Sequence, residues 1–334
     1  MITLTESYNT RFNVPKPDFP YTIGKRLHVR SHVPPPPTKS DCWLGFQTAR
    51  ERNSVDPVQR CLIHPPLTGV FTSGVAELEI VGLVRAGDRH GAQLLAVRVL
   101  TSTHDLPSDT GLLAKLYDPL YFDHEQDDAD PFLCVDRAYT HESAVYTKIE
   151  DFQGSTIPKY YGSFSLSLPV DHKNSREVRL ILIENVPGIS MQNLSPSNFT
   201  KSERQAIMKA IIDSETALYN REIAHNDTHP RNILVLPQPS DHARKVVLVD
   251  FGLAWTSRSP FPEWEERFLP GVPISPLLRW IKPREWFDGW VDWDWEAWVE
   301  EHYEHTRGSI TEYMQRKWGP KDRRSCLEST DKKG

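Results

Sequence analysis

The alternation of apolar and polar positions changes character several times along the chain. As far as about His64 it shows no clear period, and the run Pro34 to Pro37 sits in a polar stretch that predicts an extended arm preceding or wrapping a domain. Between Val75 and Leu116 the pattern turns β-like over Ala76 to Val84, Ala92 to Leu100 and Leu112 to Leu116. The first two are separated by Arg85-Ala-Gly-Asp-Arg-His-Gly91, which has the composition of a hairpin turn, so a three-stranded antiparallel sheet is expected. Asp123 to Asp130 is acidic enough to read as a solvated surface loop rather than a metal site. Ala138, Ala144, Val145 and Ile149 then recur at helical spacing, predicting a helix over Cys134 to Ile149, with Gly154 and Pro158 after its end. A strand over Tyr160 to Leu168 and an apolar strand over Val178 to Ile183 follow, and the second runs into Glu184-Asn-Val-Pro-Gly188, a connector that breaks it. Thr200 to Ile223 reads as a long amphipathic helix, with Thr200 or Ser202 as N-cap and Glu203 in the first turn. Sheet, helix, sheet, connector and helices in that order predict a two-lobed α+β protein. The expected division is an N-terminal extension over 1–64, lobes over 65–186 and 187–318, and a polar tail over 319–334.

Composition narrows the classes. The 39 basic residues fall short of the 45 acidic ones and the net charge is −6, so no basic excess exists to neutralise a nucleic-acid backbone. With 38% hydrophobic residues a folded core is expected, and 27 prolines against 17 glycines favour fixed bends and irregular connections. The longest apolar runs, such as Leu180 to Ile183 and Val246 to Val249, stop far short of the roughly 18 residues a membrane span needs. Met1 to Val14 has no apolar stretch of the kind a secretory signal carries. Cys42, Cys61, Cys134 and Cys326 form no C-x-x-C pair, which suits reduced thiols in an intracellular, cytoplasmic protein and argues against structural zinc.

The chemistry concentrates in two segments. Ile223-Ala-His-Asn-Asp-Thr-His-Pro-Arg-Asn-Ile-Leu-Val235 places His225, Asp227 and Asn232 in a loop after a helix, and Val246-Val-Leu-Val-Asp-Phe-Gly-Leu253 ends a short strand on Asp250. Phosphoryl transfer from ATP uses such groups in this order: a carboxylate for the acceptor hydroxyl, then an amide oxygen and a second carboxylate for Mg²⁺. The two segments resemble the H-R-D-x-x-x-x-N and D-F-G elements of the protein-kinase-like superfamily. Upstream, Lys115 in Leu113-Ala-Lys-Leu116 matches the family's strand lysine, and Glu142 in His141-Glu-Ser-Ala-Val-Tyr146 stands where its helix partner belongs. The resemblance implies a bilobal fold, with an antiparallel sheet and one helix in the N-lobe and a mainly helical C-lobe. It also implies that Ile183 is the gatekeeper, that Glu184 and Val186 meet adenine through backbone groups, and that Gly87 in the first hairpin lies at the phosphates.

Three departures point away from ordinary Ser/Thr kinases and towards fungal kinase-like and aminoglycoside-phosphotransferase-like proteins. Asn226 replaces the arginine of H-R-D, no A-P-E follows Asp250, and G-x-G-x-x-G is missing from the first hairpin. The implied activity is ATP- and Mg²⁺-dependent transfer to a hydroxyl of a protein or small molecule. Lys115 would hold the α/β-phosphates, Glu142 would position it, Asp227 would receive the acceptor's proton, and Asn232 and Asp250 would bind the metal. The alternative is a kinase-like scaffold that binds nucleotide and transfers nothing. His225 is read as structural, and a His225/Asp227/His229 metal site is disfavoured because Pro230 prevents the helical H-E-x-x-H arrangement. Trp286, Trp290 and Trp293 follow i, i+4, i+7 spacing, predicting the buried face of a C-terminal helix, and Val291 to Trp298 resembles the kinase C-lobe helix, which implies Asp292 or Asp294 as a brace for the catalytic loop.

Overall fold

A β-strand sends successive side chains to opposite faces, and the 76–116 region obeys that rule closely enough to reveal which face is inside. In the computed structural model, the described residues are 16–107, 111–124, 128–237 and 246–320. The expectations for Met1 to Val14, Cys326 and most of the tail lie outside them, as does the middle of the acidic Asp123 to Asp130 segment. The chain divides into two compact units, the first running through Val186 and including Asp250–Leu253, the second comprising Pro187–Val249 and the chain from Ala254 onward.

The first unit opens with β1 (Arg26–Val33), α1 (Phe46–Ser54) and α2 (Pro57–Ile63). It continues with β2 (Val70–Arg85), β3 (Gln93–Ser102), β4 (Leu112–Tyr117), α3 (Pro131–Lys148), β5 (Tyr160–Pro169) and β6 (Ser175–Glu184). The six strands close into an antiparallel barrel in the order β1-β2-β3-β4-β6-β5, with β5 returning to β1 through Val29↔Leu166. This corrects the expected three-stranded sheet. Closure joins strands far apart in sequence, β4 to β6 through Lys115↔Ile181 for example, and no local pattern announces such pairings.

The 1–64 segment also differs from an aperiodic arm. Leu27 and Val29 point into the barrel, but the register shifts between Arg30 and His32, and the next buried side chain is a histidine. His32 Nδ1 lies 2.6 Å from Tyr139 Oη, and burial lowers its pKa to about 4, so it enters the core neutral. A polar residue at a buried position hides the strand's alternation.

Ala76, Leu78 and Ile80 of β2, Leu95 and Val97 of β3, Leu112, Ala114 and Leu116 of β4, and Val178, Leu180 and Leu182 of β6 fill the barrel. By the same alternation, Lys115 and Tyr117 leave β4 on the opposite face, and both are buried there. That face meets α3. Asp130 caps the helix by accepting from Phe132 N–H at 3.0 Å, Pro131 occupies its first turn, and Tyr139, Glu142 and Tyr146 share one buried side.

In the second unit, β7 (Ile189–Ser190), β8 (Ile233–Val235) and β9 (Val246–Leu248) form a small sheet, and α4 (Lys201–Asn220) is the longest helix described. Thr200, one of the two N-cap candidates in the sequence, forms a reciprocal capping box with Glu203 at its start. Buried Glu215 of α4 accepts from Arg279 and, at 3.2 Å, from Trp280 Nε1. Short helices α5 (Pro276–Arg279), α6 (Trp295–Tyr303) and α7 (Glu312–Trp318) complete the unit.

The tryptophan prediction needs correction. Trp286 is in a 3₁₀ turn and 44% exposed, Trp290 and Trp293 lie in irregular chain, and the helix begins only at Trp295. Asp294 starts it by accepting from Ala297 N–H at 3.1 Å, and Asp292 pairs with Arg204 of α4 at 2.7 Å. Aromatic spacing alone cannot outvote an N-cap.

Candidate functional site

The side of β4 that faces α3 carries a buried charge cluster. Lys115 Nζ donates to Glu142 Oε2 at 2.5 Å and to Asp250 Oδ1 at 2.7 Å, and Tyr117 Oη donates to the same Glu142 oxygen at 2.9 Å. Burial alone would lower the lysine's pKa, but the carboxylates of Asp250 and Glu142 outweigh it and raise the value, so Lys115 stays charged. Burial pushes the Glu142 carboxyl up from its ordinary value against the pull of Lys115. A cation between two carboxylates is the arrangement that lets a buried lysine exist at all.

Asp250 reaches this cluster through unusual backbone. Its φ of 65° is left-handed, a region that L-residues other than Asn and Asp rarely enter. Phe251 is fully buried and meets Tyr146 of α3 edge-on with centroids 5.7 Å apart. A Cβ at Gly252 would stand 3.0 Å from the Ala138 Cβ, so a side chain there would press the segment or the helix apart by a few tenths of an ångström. The Asp-Phe-Gly residues therefore aim a carboxylate at Lys115, bury a ring against α3 and permit close approach.

Beside the cluster opens a cleft of about 470 Å³, lined by Lys115, Asp250, Gly252, Tyr117 and two arginines, Arg85 from β2 and Arg137 from α3. Arg85 Nη2 is 3.8 Å from Asp250 Oδ2, while its Nε is buried without a hydrogen-bond partner. Sequence reasoning missed both arginines: it places Arg85 in the hairpin turn and does not single out Arg137.

The other predicted nucleotide residues lie elsewhere in the unit. Gly87 has a positive φ of 128°, and its N–H donates to the buried Gln93 side chain at 2.7 Å, which commits that donor within the turn. Ile183 is buried in β6 between Leu113 and Tyr160, and Glu184 N–H bonds the Lys159 carbonyl at 2.9 Å. Val186 is buried. Among the described residues the cleft lining does not include Ile183, Glu184, Val186 or Gly87.

The 225–232 loop of the second unit has its own tight geometry. His225 is buried, with Nε2 3.1 Å from the Val249 carbonyl and Nδ1 accepting from Asp227 N–H at 3.4 Å, so the ring braces the loop. Asn226 supplies the left-handed turn, with φ 59°. Asn232 donates through Nδ2 to the Asp227 carbonyl at 3.0 Å and to Asp227 Oδ2 at 2.8 Å. Both amide hydrogens are thereby used, and the amide oxygen remains as the acceptor end of the side chain. Arg231 Nη2 lies 2.8 Å from each Asp227 carboxylate oxygen, a contact the sequence reading did not anticipate. His229 accepts from Arg231 N–H and packs beside Trp286, so it caps a 3₁₀ turn. Among the described residues no group of three His, Cys, Asp or Glu side chains is arranged to hold a metal by itself, and no helix is long and apolar enough to cross a membrane.

No curated protein matches the chain. The matching family model begins C-terminal to Lys115 and takes in Glu142, Asp227, Asn232 and Asp250: residues 128–264 are similar to the ABC1 atypical kinase-like domain, of the protein-kinase-like superfamily.

Proposed function

We propose that this chain is an ATP- and Mg²⁺-dependent phosphotransferase that moves a γ-phosphate to a hydroxyl acceptor. The observation that carries the reading is Lys115, fixed between Glu142 at 2.5 Å and Asp250 at 2.7 Å on the wall of a cleft that Arg85 and Arg137 also line. A nucleotide polyphosphate brings several negative charges, and three fixed cations around one cavity are suited to receive it. Lys115 takes the α/β-phosphates, Glu142 holds its ammonium in place, and the arginines supply charge where the first hairpin offers no glycine-rich run of amides.

The donor chemistry also suits a hard cation. Asp250 presents a part-exposed carboxylate, and Asn232, its amide hydrogens spent on Asp227, presents a carbonyl oxygen; both are the oxygen ligands Mg²⁺ prefers. Mg²⁺ would offset charge on the transferring phosphoryl group. Asp227 orients the acceptor hydroxyl and takes its proton, while the bonds from Asn232 and Arg231 fix the carboxylate's direction. In this reading the two units are the lobes of a bilobal kinase-like fold. Asn226 in place of the H-R-D arginine favours the small-molecule phosphotransferase branch, and unpaired Cys42, Cys61 and Cys134 favour an intracellular, cytoplasmic setting.

A second reading, nucleotide binding without transfer, draws on two contacts: the Gly87 amide committed to Gln93, and the Asp227 carboxylate held by Arg231. The two are separated by product. ATP at about 100 times its dissociation constant should add about 2.7 kcal/mol to stability, read as a thermal shift. Phosphotransfer requires that the shift depend on Mg²⁺, disappear in Asp250→Asn, and be accompanied by ADP in proportion to phosphorylated acceptor. Asp227→Ala should keep the thermal shift and lose the product; product formation by that variant overturns the assignment.

A further inference from the structure

Two thiols on the cleft wall have no part in phosphotransfer. Cys42 and Cys134 both line the cleft, and both are partly exposed. The chain around Cys42 is pinned to the segment before α3: Asp130 N–H donates to the Cys42 carbonyl at 2.9 Å, Leu44 N–H to the Asp128 carbonyl at 3.1 Å, and Trp43 forms a β-bridge with Ala129. Cys134, in the first turn of α3, lies with Sγ 3.8 Å from the Cys42 carbonyl, and Arg137, three residues on, lines the same cleft. Backbone bonds thus hold the two cysteines side by side on one wall of a cavity that a guanidinium also lines. Cys61 makes the contrast, 5% exposed among barrel side chains.

We propose that Cys42 and Cys134 form a modification site, a nucleophilic thiol and its resolving partner, that a hydroperoxide converts to a disulfide. The Cys42 thiolate attacks the outer oxygen of ROOH, the O–O bond breaks, and the leaving alkoxide takes a proton to become ROH, leaving a sulfenic acid on Cys42. Cys134 sulfur then attacks Cys42 Sγ, the S–O bond breaks, and hydroxide departs with the Cys134 proton as water. Two thiols and one hydroperoxide give one disulfide, one ROH and one water, the thiols losing two electrons to the O–O bond.

The order of attack follows from the contacts. Cys134 and Arg137 together pull the Cys42 thiol down to about 7, which enriches its thiolate at neutral pH. Cys42 in turn pushes Cys134 up, keeping its proton until the second step, and burial pushes Cys61 up to about 12. The disulfide would tie the Asp41–Leu44 segment to α3, whose next turns carry Glu142. Nothing in this chemistry requires the cleft to bind nucleotide.

The test uses the full-length chain with Cys326→Ser, so that the scored cysteines are Cys42, Cys61 and Cys134. Iodoacetamide alkylation rates per cysteine, followed by peptide mass spectrometry, should give a Cys42 midpoint near pH 7 that climbs in Cys134→Ala, with Cys61 inert. One equivalent of hydrogen peroxide and non-reducing digestion should yield a Cys42–Cys134 peptide pair two hydrogens lighter than its parts; in Cys134→Ala, dimedone should trap a sulfenic acid on Cys42 instead. The proposal is overturned if Cys42 titrates like an ordinary thiol, about pH 8.5, or if peroxide leaves the two cysteines unlinked.

Discussion

Replacing Lys115 by methionine removes one charge with little change in volume, and the structure says where the cost falls. Glu142 has no exposed surface, and its partners are the Lys115 ammonium and the Tyr117 hydroxyl. Asp250 is better placed to lose the lysine, because its carboxylate is about one-third exposed and Arg85 remains 3.8 Å away. The penalty therefore centres on Glu142, an uncompensated buried carboxylate, and should be about 3–5 kcal/mol at neutral pH. A Coulomb estimate of about 4 kcal/mol, for charges about 4 Å apart at an effective dielectric of about 20, gives the same size. The effect should depend on pH in a fixed direction. Burial already raises the Glu142 pKa, and without Lys115 that push and the repulsion of Asp250 go unopposed. A carboxyl with a raised folded pKa carries no penalty while protonated, below its unfolded value near 4.5, and destabilises as pH rises through the folded value. In the wild type, the raised Lys115 pKa keeps that residue's contribution constant until pH passes above 10.5, so it adds no slope at lower pH. Lys115→Met should consequently lose little at about pH 5 and the full amount at pH 8. Lys115→Met/Glu142→Gln should recover most of the loss, since both partners are then neutral and the glutamine keeps a contact with Tyr117. Urea unfolding by far-UV circular dichroism, with hydrogen exchange of β4 and β6 peptides, reads the first unit. Tryptophan fluorescence serves as reference, because nine of the ten tryptophans lie beyond Phe251, in the second unit. A loss below about 1 kcal/mol, or an equal loss at both pH values, would refute the account of Glu142 as a buried, lysine-dependent charge.

Other consequences are simpler to check. Arg85→Ala should weaken ATP affinity about tenfold or more while leaving the fold intact, as expected for one charge-assisted phosphate contact; isothermal titration showing unchanged affinity would remove Arg85 from the phosphate site. Thr200→Ala breaks the capping box and should cost the second unit about 1 kcal/mol, seen as a lower fluorescence midpoint in urea. Because Cys42 shares the cleft with Lys115 and Asp250, saturating MgATP should slow its alkylation several-fold without affecting Cys61, and equal rates would place the nucleotide elsewhere.

What the sequence reveals and what it conceals divide along a physical line. The helix carrying Glu142 and the capped start of α4 are set by side chains within a few residues of one another, so periodicity and cap chemistry locate them to within a few residues. Lys115 could be paired with Glu142 only because a known order of motifs supplied the long-range partner; the strand pattern by itself shows a lysine among apolar residues. No such order exists for Arg85, Arg137 or Cys42, and each reaches the cleft through tertiary contacts: a hairpin carries Arg85, helix packing aims Arg137, and a bridge to Ala129 seats the chain beside Cys42. β1 fails for the complementary reason. Its buried His32 is satisfied by Tyr139 on α3, more than a hundred residues away, so the strand looks half polar until its partner is in view. Without β1 the outer edge of β5, whose other edge pairs with β6, has no partner, and nothing closes the barrel. One polar residue satisfied at long range thus conceals a whole strand and, with it, the topology that seats the charge cluster against α3.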